Sequence, residues 1–250
     1  MADFLTPPTN PIVLIPARLA ATRLPNKPLL EIAGEPMIVQ VWRRAMEAGI
    51  GPVVVTAPDP EIIAAVEAAG GQAQLTSIAH QSGSDRIAEA LERVDPNGRY
   101  DAVINVQGDL PVLEPETIRA TFRLLADPKV DIATPVALAA EDERENPNVV
   151  KAVFEPTGER TGKALYFTRL SAPSGAGPLY HHIGLYAYRR AALQAFVAAP
   201  QSELEKRERL EQLRALAIGL NIHVAVVDTV PLGVDTQADL DRARALLEHS

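Results

Sequence analysis

At 250 residues the chain has room for one or two domains of roughly 150 residues each, and 24 Lys and Arg against 32 Asp and Glu leave a net charge of -8. That balance excludes a general nucleic-acid binder, whose affinity rests on neutralising phosphates, so any phosphate site must be a local basic cluster. With 47% apolar and 22% charged residues a large core is available, and the absence of Cys excludes disulfides, zinc-thiolate sites and thiol nucleophiles while fitting a reducing compartment.

The start of the chain is polar and Pro-rich, with neither the basic beginning nor the apolar stretch of a secretory signal. Residues 1–10 read as a flexible tail. No apolar run approaches the about 20 residues that span a bilayer, so a soluble cytoplasmic protein without a membrane partner is expected.

Short β-branched runs then alternate with amphipathic periods. A strand over 12–15 precedes a helix over 36–48, with Met37, Ile38, Val41, Trp42 and Ala45 on one face. A strand over 52–56 is followed by a helix over 60–69. A helix over 84–94, with Ile87, Ala88, Leu91 and Val94 inward, leads to a strand over 102–106 and a helix over 115–126 that starts on Pro115. Such alternation implies right-handed βαβ units and a mainly parallel α/β sheet. From 131 the rhythm changes to extended segments over 131–137, 149–154 and 183–188, read as an antiparallel insertion lobe over about 131–200 within one 1–250 domain. A polar helix over 202–216, a strand over 222–227 and a helix over 236–248 complete the chain.

Ligands of open α/β sheets bind beyond the carboxyl ends of the strands. After the first strand comes Pro16-Ala17-Arg18-Leu19-Ala20-Ala21-Thr22-Arg23-Leu24-Pro25-Asn26-Lys27-Pro28-Leu29, three cations with no glycine between Ile15 and Gly34. A polyphosphate gripped by side chains fits this loop, and so does a solvated basic loop. His80-Gln81-Ser82-Gly83-Ser84-Asp85-Arg86 opens a helix, where Ser84 or Asp85 reads equally well as the N-cap and Arg86 as a solvent-facing residue of the first turn. Asn105-Val106-Gln107-Gly108-Asp109 and Gly233-Val234-Asp235-Thr236 each set a carboxylate just past a strand, the placement a hard cation such as magnesium uses. A turn residue at Asp109, and a Thr236–Asp239 capping box that makes Asp235 incidental, are the plain alternatives. Three further blocks, Tyr166-Phe167-Thr168-Arg169, His182-Ile183-Gly184-Leu185-Tyr186 and Leu210-Glu211-Gln212-Leu213-Arg214, read on their own as a strand-end histidine, a core tyrosine and a solvated helix face.

Taken together these blocks resemble the 3-deoxy-manno-octulosonate (Kdo) cytidylyltransferase family over nearly the whole chain. The resemblance implies a three-layer, Rossmann-like nucleotidyltransferase fold. It also implies CTP and Kdo as substrates, CMP-Kdo and diphosphate as products serving lipopolysaccharide biosynthesis, magnesium as cofactor and a homodimer. On the matching positions, Ala17, Arg18, Arg23, Lys27, Ser82 and Ser84 contact the nucleotide and Asp109 and Asp235 hold magnesium, with Arg18 and Lys27 joining them in catalysis. Arg86, Gln107, Arg169, His182, Tyr186, Glu211 and Gln212 contact the sugar acid.

The chain departs from the family pattern at Asn26, where Gly is usual and Asn suits a left-handed backbone, at Leu110, where many members have Glu, and over a short Gly/Pro-rich stretch at 171–180. His181 beside His182 leaves open which ring faces the site. Other acidic sugars stay open, namely 8-amino-Kdo, sialic acid and pseudaminic acid: the first is compatible, while Pro28 stands where sialic-type enzymes usually carry Asn. A hexose-1-phosphate nucleotidyltransferase calls for a Gly-rich first loop, and a non-catalytic nucleotide-binding module for the loss of a metal carboxylate.

Overall fold

The computed structural model describes residues 7–20, 23–80 and 82–248, and the chain divides into two compact units, one made of Thr9–Arg119 with Pro231–Ser250, the other centred on Ala120–Val230. Residues 1–6 of the expected tail, Ala21 and Thr22 of the basic loop, and Gln81 lie outside the described residues. At the end of that tail Thr9 and Asn10 are tied down, their backbone N–H groups donating to the Asp101 carboxylate at 2.8 and 3.0 Å.

The first unit begins with β1 (Pro11–Pro16), a two-stranded ribbon of β2 (Glu31–Ile32) and β3 (Glu35–Pro36), and α1 (Met37–Glu47). Then come β4 (Val53–Ala57), α2 (Pro60–Ala68), β5 (Gln72–Leu75), α3 (Gly83–Val94), β6 (Ala102–Asn105) and α4 (Pro115–Arg123), the last carrying the chain into the second unit. The strands run β6-β1-β4-β5, all parallel, with Val13 opposite Val53 on one side and Ile104 on the other. Parallel sheets are covered on both faces, so β1 is a continuous apolar run, and every residue from Ile12 to Ile15 is buried. On α1 the expected face is buried except for Trp42, which is half-buried; Val39 is buried in its place. The expectation missed β5, whose Gln72-Ala73-Gln74-Leu75 has no β-branched residue to announce a strand.

The second unit comprises β7 (Ile132–Leu138), β8 (Lys151–Gly158), β9 (Thr161–Thr168), β10 (Tyr180–His182), β11 (Tyr186–Arg189), α5 (Arg190–Ala198), α6 (Glu203–Glu208), α7 (Gln212–Ala217) and β12 (Ile222–Val227). Its strands run β10-β8-β9-β12-β7-β11, and β10 also pairs with β7, so five of them close on themselves. Pairing is antiparallel except for β7 with β12. The lobe expected over 131–200 is therefore completed by β12.

Two expected elements take another form in the structure. The strand expected over 183–188 begins only at Tyr186, as β11, because Leu185 N–H turns back to the Ile183 carbonyl at 2.7 Å beside Gly184; β10 ends before that range, at His182. The helix over 202–216 is two helices: Ser202 and Glu205 form a capping box that starts α6, and Arg209 at φ 57° ends it in a left-handed conformation that no helix can continue through. β9 and α5 were not expected at all. Finally α8 (Gln237–Glu248) returns to the first unit and packs Leu240 and Ala243 against Leu24, Ile32, Met37 and Val234. No helix among the described residues is long and apolar enough to cross a membrane.

Candidate active site

The loop after β1 is shaped by Asn26, whose φ of 55° and ψ of 23° place it in the left-handed region that Asn tolerates better than most residues. A short 3-10 turn, Lys27–Leu29, follows with Pro28 buried. That turn aims the Lys27 ammonium between two carboxylates, 3.0 Å from Asp109 Oδ2 and 3.0 Å from Asp235 Oδ1. Arg23 donates to the other oxygen of Asp235 at 3.0 Å. Burial by itself would lower the Lys27 pKa, but Asp109 and Asp235 outweigh it and hold the ammonium above its ordinary value of 10.5. Lys27 is therefore a fixed positive charge at neutral pH.

The two aspartates are brought together by backbone. Val234 N–H donates to the Asp109 carbonyl at 2.9 Å, which couples the loop after β6 to the segment entering α8. Gly108 lets the loop after β6 pass close to the end of β1, since a Cβ there would lie 2.8 Å from the Pro16 carbonyl oxygen. The Thr236–Asp239 capping box exists: Asp239 Oδ2 accepts from Thr236 N–H at 2.9 Å, from its hydroxyl at 2.8 Å and from Asp235 N–H at 3.2 Å. It uses only the backbone of Asp235 and so fixes that residue while its side chain faces Lys27. Burial pushes the Asp239 carboxyl up, yet these donors hold it below its ordinary value.

On the facing side Ser82, not Ser84 or Asp85, caps α3, its hydroxyl accepting from Asp85 N–H at 3.1 Å. Arg86 does not face solvent: it is 3% exposed and donates to the Thr76 hydroxyl at 2.6 Å and the Ser77 carbonyl at 3.1 Å. Burial, then the neighbouring Arg18 charge, lower its pKa. Glu89 staples the same loop to α3, accepting from Ser77 N–H at 2.8 Å and meeting His80 Nε2 at 2.5 Å.

Together these groups enclose an open cleft of about 420 Å³ at the carboxyl ends of β1 and β6. Ala17, Arg18, Arg23, Lys27, Ser82, Arg86, Gln107, Asp109 and Asp235 all line it, whereas Ser84 is buried in α3 and does not. No group of three or more metal-ligating side chains occurs among the described residues. Two carboxylates already converging on one cation do suit magnesium, which takes one or two carboxylates and completes its shell with water and phosphate oxygens.

The second unit gathers the remaining candidates. His182 is buried between Phe167 and Tyr186, at ring distances of 4.9 and 5.5 Å, while His181 turns away to Glu143 at 2.9 Å. Burial, then the neighbouring His181, lower the His182 pKa to about 3, so the ring is neutral. Tyr186 and Gln212 border a small crevice with Glu211, and Gln212 is 6% exposed rather than solvated. Burial, then Tyr188 and Glu211, push the Tyr186 hydroxyl well above its ordinary value. A buried Arg214–Glu205 fork, at 2.8 and 3.0 Å, secures the α6–α7 corner that carries Glu211 and Gln212. Arg169 donates to the Glu208 and Pro147 carbonyls at 3.1 Å each. Glu208 also accepts from the Tyr166 and Thr168 hydroxyls and the Arg169 N–H, which makes it the anchor of this corner. Sequence reasoning missed Glu208, Glu89 and Gly108 as site supports and read the Thr236–Asp239 cap only as an alternative to a role for Asp235; the cap motif and the glycine before Asp109 carry local signals, the two glutamates none.

A profile described as cytidylyltransferase matches residues 12–222 of the chain. A 3-deoxy-manno-octulosonate cytidylyltransferase of Rhodospirillum centenum is 65% identical, over 96% of this chain and 95% of that protein. One of Paramagnetospirillum magneticum is 61% identical, over 96% and 98%. Among solved structures, a CMP:2-keto-3-deoxy-manno-octonic acid synthetase complexed with CTP is similar at a TM-score of 0.90 and 38% identity, covering 96% of this chain and 99% of that one.

Proposed function

This chain belongs to the cytidylyltransferase family, and from that premise we propose that it transfers the CMP moiety of CTP to Kdo, giving CMP-Kdo and diphosphate. The observation that carries the reading is the Lys27 ammonium held 3.0 Å from both Asp109 and Asp235 in a cleft that Arg18, Arg23 and Arg86 also line. Such a cleft matches a substrate that is itself a polyphosphate. The CTP complex of the similar synthetase supports the same nucleotide here.

The reaction is an in-line displacement. The anomeric hydroxyl of the sugar attacks the α-phosphorus, the bond from that phosphorus to the bridging oxygen breaks, and diphosphate leaves with the electron pair while the hydroxyl proton passes to solvent. Phosphoryl-type transfer is accelerated chiefly by positioning and charge stabilisation. Arg18, Arg23 and Lys27 bind the triphosphate and offset charge on the leaving diphosphate. Ser82 already accepts at its hydroxyl oxygen, so its O–H is left to donate to the nucleotide. Asp109 and Asp235 would hold magnesium, which when bound supplies charge neutralisation on the phosphates and makes the attacking hydroxyl more acidic.

Arg86, Gln107, Arg169, His182, Tyr186, Glu211 and Gln212 take the roles on the sugar acid. The same reading carries a cytoplasmic homodimer whose product serves lipopolysaccharide assembly, in keeping with a chain that has no Cys. Diphosphate release from CTP and magnesium tests it, with Kdo, 8-amino-Kdo, N-acetylneuraminate or no sugar added and EDTA as control. Metal-dependent release with Kdo is expected. Release with a different acid alone would move the specificity, and no release with any of them would end the proposal.

A further inference from the structure

Thr134 sits in β7 with its side chain fully buried, a hydroxyl within a strand that is otherwise apolar. Its Oγ1 lies 2.8 Å from the Leu185 carbonyl oxygen, 3.2 Å from that of Ile183 and 2.9 Å from His182 Nε2. A hydroxyl has one proton, and carbonyl oxygens only accept. Were that proton aimed at the ring, the hydroxyl and carbonyl lone pairs would face each other at 2.8 Å with nothing between them. The proton therefore goes to the carbonyls, and Thr134 accepts from the ring. Nε2 carries the hydrogen, and because a neutral imidazole has only one N–H, Nδ1 keeps a bare lone pair. Burial keeps the ring neutral, and Phe167 and Tyr186 fix its plane.

We infer that Thr134 is a positioning residue that sets the tautomer of His182, so that His182 offers the sugar acid a hydrogen-bond acceptor and reads a hydroxyl, not the carboxylate. A carboxylate against Nδ1 would set two acceptors face to face, and the bound acid group is left to cations. The recognition half rests on the proposed function; the tautomer half does not.

Long-range proton–nitrogen NMR on the 15N-labelled protein, recorded without sugar and assigned by loss of the signal in His182→Gln, reads the tautomer directly. Wild type and Thr134→Ser should show a His182 ring protonated at Nε2 alone, and Thr134→Val should lose that preference. In kinetics, Thr134→Val should raise KM for the sugar about tenfold, the weight of one hydrogen bond. KM for CTP should stay as it was, and Thr134→Ser should restore the wild-type value. An Nδ1-protonated or doubly protonated ring in wild type or Thr134→Ser would overturn the inference even if Thr134→Val does not fold, and so would a Thr134→Val ring indistinguishable from wild type. The expected spectrum in a protein that uses no sugar acid would overturn the functional reading and leave the Thr134 assignment standing.

Discussion

Lys27 sits where a metal-assisted mechanism would put its cation, and its raised pKa follows from the same two carboxylates. Without substrate, the ammonium neutralises a pair of aspartates that would otherwise repel one another. Phosphates entering the cleft would compete with Asp235 for Lys27 and Arg23, freeing the carboxylates for a divalent ion. Replacing either aspartate by asparagine keeps its size and removes the charge. Asp109→Asn and Asp235→Asn should each lower kcat by about 10²- to 10³-fold at saturating magnesium, the usual weight of a preorganised electrostatic contact. Steady-state turnover measures this, and near-normal turnover in Asp235→Asn would remove it from the proposed centre.

At the scale of elements, the start of α8 is the part of the site most exposed to a single loss. Asp239 accepts three hydrogen bonds there, one of them from the backbone of Asp235. Asp239→Ala should destabilise the protein by about 1 kcal/mol, as cap removals generally do. Because the cap also fixes Asp235, the magnesium concentration giving half-maximal rate should rise as well. Chemical denaturation with a magnesium titration reads both, and an unchanged magnesium dependence would mean that Val234 N–H on the Asp109 carbonyl holds Asp235 in place without the cap.

For the molecule as a whole, the buried neutral His182 sets a stability term that runs with pH. His182 titrates near 3 when folded against an ordinary 6.5, so as pH falls below about 6.5 the unfolded chain takes up a proton that the native state refuses. Stability from this source is complete above that pH and is lost on acidification; His223, lowered chiefly by its own burial, adds with the same sign. Urea denaturation at pH 7 and at pH 5 should show a smaller loss for His182→Gln than for wild type, and equal losses would contradict the assignment. The same scale decides what could be read from sequence. The first unit was legible because its βα steps, β5 apart, announce themselves locally, and Arg18, Lys27, Asp109 and Asp235 each follow a strand end. The closing of β10 on β7, the break at Arg209 and the partners of Arg86, Glu208 and Thr134 depend on residues distant in sequence or on one backbone angle, which no local pattern encodes.

CMP transfer within the cleft is observed directly by a 31P NMR time course with CTP, magnesium and Kdo. One new phosphodiester signal, rising in step with diphosphate and absent in Asp109→Asn, is the predicted result. CTP broken down to CMP and diphosphate with no sugar phosphodiester, or an unaltered CTP spectrum, would contradict it.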